Sequence, residues 1–191
     1  MPEVRRIKID IPKESVLSKY EEQLKAMIIN DEDKDTIALR RQVFNNCLSF
    51  LKNELKTEDF PLVRLVFVNS TSEYDALGKQ TGKYTREKVK TLSLAFITPS
   101  LHFGVTIFTI YLNMEQFFGF LRESTKTFVY HLVQIYIHEL LHCFYGVSKN
   151  EQEIHNVECE MLEKFSGLTL PDEIKQLKIS EFYQNNEKTQ R

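Results

Sequence analysis

Two histidines four residues apart, His138 and His142, stand in the stretch YIHELLHCFYG, with Glu139 directly after the first of them. On a helix, residues i and i+4 lie one above the other, so both imidazoles can aim a nitrogen at one point. That is the bite a tetrahedral zinc ion accepts. Glu139 is offset by one residue and can reach a water at the metal without taking a coordination place, as a general base must. The spacing therefore predicts two zinc ligands, His138 and His142, and a catalytic carboxylate, Glu139, from little more than one helical turn. The plain alternative is a pair of satisfied core histidines with Glu139 at the surface. Energy weighs against it, because two histidines and a carboxylate on an otherwise apolar helix cost desolvation unless something uses them.

A catalytic zinc normally has three protein ligands and one open position. The stretch NEQEIHNVECEMLEKF, 150–165, offers candidates for the third. At 100° per residue, Ile154, Val157, Met161, Leu162 and Phe165 form one apolar stripe with Glu158 inside it, whereas Glu153, Glu160 and Glu163 point away. A carboxylate on a buried helix face needs a partner, so Glu158 is the expected third ligand to a single zinc ion. His155 lies at the stripe edge, as a rival ligand or as a neighbour of the site; a histidine there is as readily a half-exposed helix residue. Tyr145, seven residues after His138, is a candidate donor to a developing oxyanion, although helix packing explains it equally. His131 is two turns from His138, too far for the same ion, and reads as a core or supporting histidine. Cys143 and Cys159 flank the motif as ordinary small buried thiols.

These residues need a scaffold, and the hydrophobic periodicity supplies one. Arg6 to Ile11 reads as a short edge strand closed by Pro12. Ser15 to Ile29 and Thr36 to Leu55 carry helical spacing, separated by the acidic run Asp31, Glu32, Asp33 and Asp35, a solvated turn placed to cap the second helix. LVRLVFV, 62–68, is apolar on both parities, the pattern of an interior strand covered on both faces. Asn69 to Lys88 reads as a long loop. KTLSLAFIT, 90–98, and HFGVTIFTIYL, 102–112, read as two strands joined by a turn at Pro99 and Ser100. Met114 to Arg122 is then a short helix and Thr125 to Tyr145 a long one, apolar nearly all round and therefore buried, with Gly146 placed to end it. A last long helix covers about Asn150 to Phe165, stopped by Gly167, and Pro171 opens a short one.

Composition narrows the setting. The chain of 191 residues is 42% hydrophobic with a formal net charge of −2, enough to bury one core and without a global basic excess that would point to nucleic acid or an anionic membrane. Three cysteines with no CxxC spacing argue against a disulfide framework or a thiolate knuckle. The first residues, MPEVRRIKIDIPKES, contain no apolar core of a secretory signal, and the apolar stretches fall short of the roughly 20 residues a bilayer-spanning helix needs. A cytoplasmic protein with a peptide or protein substrate, and no membrane or nucleic-acid partner, is expected.

With HELLH on a buried helix behind a small sheet, the chain resembles the zincin metallopeptidases over about residues 61–166. That resemblance implies an α+β fold: a zincin-like single domain in which a small mixed β-sheet packs on the HExxH helix, here with extra N-terminal helices. It divides the chain into an N-terminal helical extension (1–60), a metallopeptidase core (61–180) and a loose tail (181–191). It implies zinc-dependent peptide hydrolysis, with substrate added to an edge strand, by position TLSLAFIT. The metzincin pattern would need glycine at position 145 and histidine at 148, where Tyr145 and Ser148 stand. The gluzincin branch, which takes a glutamate from a following helix, fits better; its usual acidic residue four positions after that glutamate is here Leu162. The string from HELLH to the Leu-Pro of GLTLP also resembles ImmA/IrrE-type proteases, which implies cleavage of one cognate repressor. A three-histidine site using His155 would resemble the SprT-like branch. A non-catalytic, zinc-stabilised interaction module is the remaining alternative.

Overall fold

The computed structural model describes residues 9–29, 33–57, 59–81, 94–146 and 149–177. Two helices come first, α1 (Val16–Ile29) and α2 (Asp33–Glu54), then strand β1 (Leu62–Val68) and helix α3 (Thr71–Gln80). A β-hairpin follows, β2 (Ala95–His102) and β3 (Val105–Asn113). The chain then becomes helical through α4 (Met114–Glu123), α5 (Thr125–Tyr145), α6 (Glu151–Ser166) and the one-turn α7 (Asp172–Lys175). The protein is thus α+β, with seven helices and a three-stranded mixed sheet among the described residues. None of the described helices is long and apolar enough to cross a membrane.

The sheet has the order β1-β3-β2, with β1 parallel and β2 antiparallel to β3. Its register sets Leu62 beside Ile107 and Ile97 beside Ile110. On one face the sheet contributes Leu65, Ile97, Ile110 and Leu112 to the main core with α5. On the other, Val68 and Phe96 pack with Tyr74 of α3, the Tyr74 and Phe96 rings meeting edge to face at 5.0 Å. Cover on both faces is why these strands are apolar on both parities. β1 is nevertheless an edge strand of the described sheet rather than an interior one, and β3 occupies the centre.

Three other expectations change. The stretch read as a long loop contains α3, whose start is capped by Ser70: its hydroxyl accepts from the Glu73 amide at 3.3 Å. Polar composition hid the helix, and buried Tyr74 anchors it; residues 82–88 of that stretch lie outside the described residues. The hairpin turn sits at Phe103 and Gly104 instead of Pro99 and Ser100, because β2 is an edge strand and tolerates a proline that donates nothing. Ile9 to Ile11 form no strand; Arg6 to Lys8, residues 90–93, Asp31, Glu32 and the tail 181–191 lie outside the described residues.

The long helix α5 is the axis of the structure. Ser124 caps it, accepting from the Thr127 amide at 3.0 Å, and Gly146 ends it at φ 110°, a conformation side chains disfavour. Helices α1 and α2 share one core with it: Leu17, Leu24, Leu39, Val43, Leu51, Leu132, Val133 and Tyr136 are all buried in the same cluster. The Tyr136 hydroxyl donates to the Arg40 carbonyl of α2 at 3.0 Å, and the Phe44 ring meets Tyr136 edge-on at 5.2 Å. At the far end the Ser15 hydroxyl donates to the Ser166 carbonyl, tying the start of α1 to the end of α6.

Candidate metal centre

His138 and His142 lie one turn apart on α5, their rings 4.9 Å apart at a steep angle. Tyr136, two residues before His138 and so about 200° around the helix, faces α2; the histidines face the opposite side, where α6 crosses. Asn150 positions the start of α6 by accepting from the amides of Gln152 and Glu153. Glu151 is therefore in the first turn of α6, and Glu158, seven residues on, shares its face two turns deeper.

The two glutamates meet the histidines from different sides. Glu158 is buried, and its Oε1 lies 2.8 Å from His138 Nδ1. Glu151 offers Oε2 to His138 Nε2 at 3.3 Å and Oε1 to His142 Nε2 at 2.9 Å. The sequence puts Glu158 in the third ligand place. The structure puts Glu158 at Nδ1 and sets Glu151, which lies outside the apolar stripe, against both Nε2 atoms. The heptad spacing from Glu151 to Glu158 is the signal for this in the sequence, and it is weak because Glu151 precedes the apolar stripe.

This arrangement fixes protons. A carboxylate only accepts, so the 2.8 Å contact places a hydrogen on His138 Nδ1. In a neutral imidazole Nε2 is then a lone pair, and it faces the Glu151 carboxylate. Something positive must lie between them, either a second proton or a cation. Without an ion it is the proton: burial lowers the His138 pKa, but the hydrogen bonds to Glu151 and Glu158 outweigh burial and hold it well above the ordinary value. Burial likewise pushes Glu151 up, and its hydrogen bonds from His138 and His142 bring the net shift well down.

A single cation fits the same place. Ligand atoms about 2.0–2.1 Å from a tetrahedral ion stand roughly 3.3 Å apart, close to the observed 3.3 and 2.9 Å, and the donors of His138, His142 and Glu151 all lie within 4.8 Å of one another. The Glu151 side chain is 46% exposed, so this side of the site is open to water. His142 Nδ1 is buried without a hydrogen-bond partner among the described residues.

Glu139 is 7% exposed, and no hydrogen bond to its carboxylate forms among the described residues. Burial raises its pKa, against the attraction of His138 and His142, which makes it a stronger proton acceptor than an ordinary carboxylate. Behind Glu158, His155 donates from Nε2 to the Ile174 carbonyl at 2.8 Å and turns Nδ1 towards Glu158 Oε2 at 3.5 Å. Cys159 Sγ is 3.5 Å from His155 Nε2, and His155, Glu158 and Cys159 form a second buried group of possible donors.

The other expected residues lie elsewhere. Tyr145 is 41% exposed, its ring edge-on to Phe144. His131 stacks on Phe120 at 4.1 Å, with Nδ1 3.1 Å from the Gln134 side-chain oxygen. Cys143 is a buried thiol whose pKa burial pushes up to about 12. A cavity of about 450 Å³ lies on another side of α6, lined by Cys159, Glu163 and Lys175 among others, and includes neither His138 nor His142. Comparison with protein-family models, with curated proteins and with solved structures gives no match to this chain.

Proposed function

We propose that the protein is a zinc-dependent peptide hydrolase of the zincin kind. The observation that carries this reading is the Glu151 carboxylate set against Nε2 of both His138 and His142 while Nδ1 of His138 is engaged by Glu158. His138, His142 and Glu151 would hold the ion, and Glu158 would orient His138 through its second nitrogen, as partners of metal-binding histidines commonly do. A zinc ion held there supplies a Lewis acid that polarises a carbonyl and acidifies water.

The chain's own residues do the rest. Glu139 stands one residue from His138 with a carboxylate that accepts no hydrogen bond among the described residues and is raised in proton affinity. It accepts the proton of the attacking water and delivers it to the departing amine, so one group serves as base and then as acid. A purely structural zinc site would have no use for a buried, unengaged carboxylate beside its ligands. The exposed side of Glu151 admits water and substrate. β2 is an edge strand of the described sheet, and an extended peptide can add to such an edge as a further strand.

The test is zinc content and proteolysis of wild type and Glu139→Gln. Both are expected to hold about one zinc, and only wild type to cut casein or a pool of proteome-derived peptides, with the variant slower by roughly 10²–10⁴-fold. Failure to bind zinc removes the reading at its first step. Zinc binding without cleavage of either substrate removes a general peptidase and leaves the protease of one cognate repressor or the zinc-stabilised module.

A further inference from the structure

We infer that the tip of the β2–β3 hairpin is an insertion device for the interfacial region of a lipid bilayer, one that uses apolar contact and no charge. This is independent of the metal centre and departs from the expectation, drawn from net charge, of no membrane partner. β1 begins at Leu62, opposite Ile107, so the pairs Leu101 with Thr106 and His102 with Val105 extend past it as a two-stranded ribbon. On that ribbon Leu101 is 72% exposed, Phe103 106% and Val105 49%, and Leu62 is exposed at its root. Four of the eight exposed large hydrophobic residues among the described residues thus gather at one end of the sheet.

The turn itself is costly in a telling way. Phe103 and Gly104 have φ values of 48° and 79°, the doubly positive pattern of a two-residue type I′ turn, whose first position favours asparagine or glycine. A bulky aromatic residue there is strained and, at full exposure, gains no packing in return. An asparagine would relieve the strain and the exposure together, so the phenylalanine is suited to a surrounding that the isolated chain lacks.

Three features favour a bilayer over a second copy of the chain. The apolar tip is convex and offers four large hydrophobic side chains, whereas a stable protein interface uses about 20–30 residues a side with matched shapes. A fluid interface needs no matching shape. Residues 94–114 contain no Asp, Glu, Lys or Arg at all, so the exposed tip of the hairpin enters an apolar boundary without desolvating an acidic or basic side chain of these types. The attachment is accordingly weak and reversible, below that of a single acyl chain, and insensitive to lipid charge.

The chain has no tryptophan, so Phe103→Trp installs a lone fluorescent reporter at the tip. With vesicles of phosphatidylcholine at millimolar lipid, its emission is expected to shift to the blue and to be quenched by brominated acyl chains, equally with or without phosphatidylserine. Co-sedimentation of wild type with the same vesicles is expected to fall about ten-fold in Phe103→Asn, a substitution that leaves thermal stability equal or higher. An unshifted reporter, binding that requires phosphatidylserine, or binding unchanged in a folded Phe103→Asn would each overturn the inference. So would sedimentation velocity showing a dimer that Phe103→Asn dissociates, since the tip would then serve a second copy.

Discussion

Glu158 Oε1 lies 2.8 Å from His138 Nδ1, and this contact decides which nitrogen of the imidazole is left for other work. With Nδ1 held as a donor, only Nε2 is free, and it points at Glu151. On the proposed reading, ligand and orienting partner are therefore different glutamates. Glu158→Gln, which keeps a hydrogen-bond acceptor but loses the charge, is expected to weaken zinc affinity about 10–100-fold, and Glu151→Ala to weaken it more. A chelator-competition titration checks the order. Affinity unchanged in Glu151→Ala and abolished in Glu158→Ala would exchange the two roles.

Zinc binding is expected to release a proton at neutral pH. Burial depresses the His138 pKa, but the hydrogen bonds to Glu151 and Glu158 more than reverse this, so the ring is an imidazolium in the zinc-free protein. The ion must displace that hydrogen, and affinity should climb with pH while His138 is still protonated. Calorimetry near pH 7 in buffers of differing ionisation enthalpy should give a slope of about one proton. A slope of zero would mean a site already empty of protons.

The zinc-free protein is expected to lose stability as pH rises from about 6.5 towards 9. The sign follows from His155, whose pKa is raised to about 10 by its contacts with Cys159 first and Glu158 next. A base raised on folding stabilises fully below its ordinary pKa, and that contribution fades as pH climbs towards the folded value. Stopping at pH 9 keeps the buried thiols and phenols, whose own pKa values are raised, from joining in. The unfolding free energy from urea titrations should fall across this range by on the order of 2 kcal/mol, the scale of a charged hydrogen bond, and the slope should flatten in His155→Gln. A midpoint that rises with pH would contradict it.

Tyr136→Phe is expected to destabilise the fold by about 1–2 kcal/mol. It deletes a donor whose partner, the Arg40 carbonyl, is 96 residues away in sequence, and Tyr136 is fully buried, so no water replaces it readily. Denaturant titration measures the loss. No change would mean that the Arg40 carbonyl finds another donor.

The helices were largely legible because their signals are local. Gly146 and Gly167 mark the ends of α5 and α6 in the sequence itself, and the structure adds Ser124 and Asn150 as the caps at their starts. The sheet was harder, since a strand apolar on both parities reports that both faces are covered but says nothing of neighbours in the plane; Leu62–Val68 accordingly read as interior. α3 was missed because its core contact is carried chiefly by Tyr74, too few apolar residues to make a stripe. Within the site, residues sharing one helix were easy to relate. Glu151 was not, because its relation to His142 depends on how α6 crosses α5, a tertiary fact that no period in either segment encodes.

The bond between Tyr136 and Arg40 also bears on how this chain can be divided. Helices α1 and α2 hold α5 from behind, on the side turned from the histidines, with buried side chains from all three helices. They act as a buttress rather than a removable cover. A fragment beginning near residue 61 would expose a full apolar wall of the histidine-bearing helix, and it would precipitate sooner than show any gain of activity.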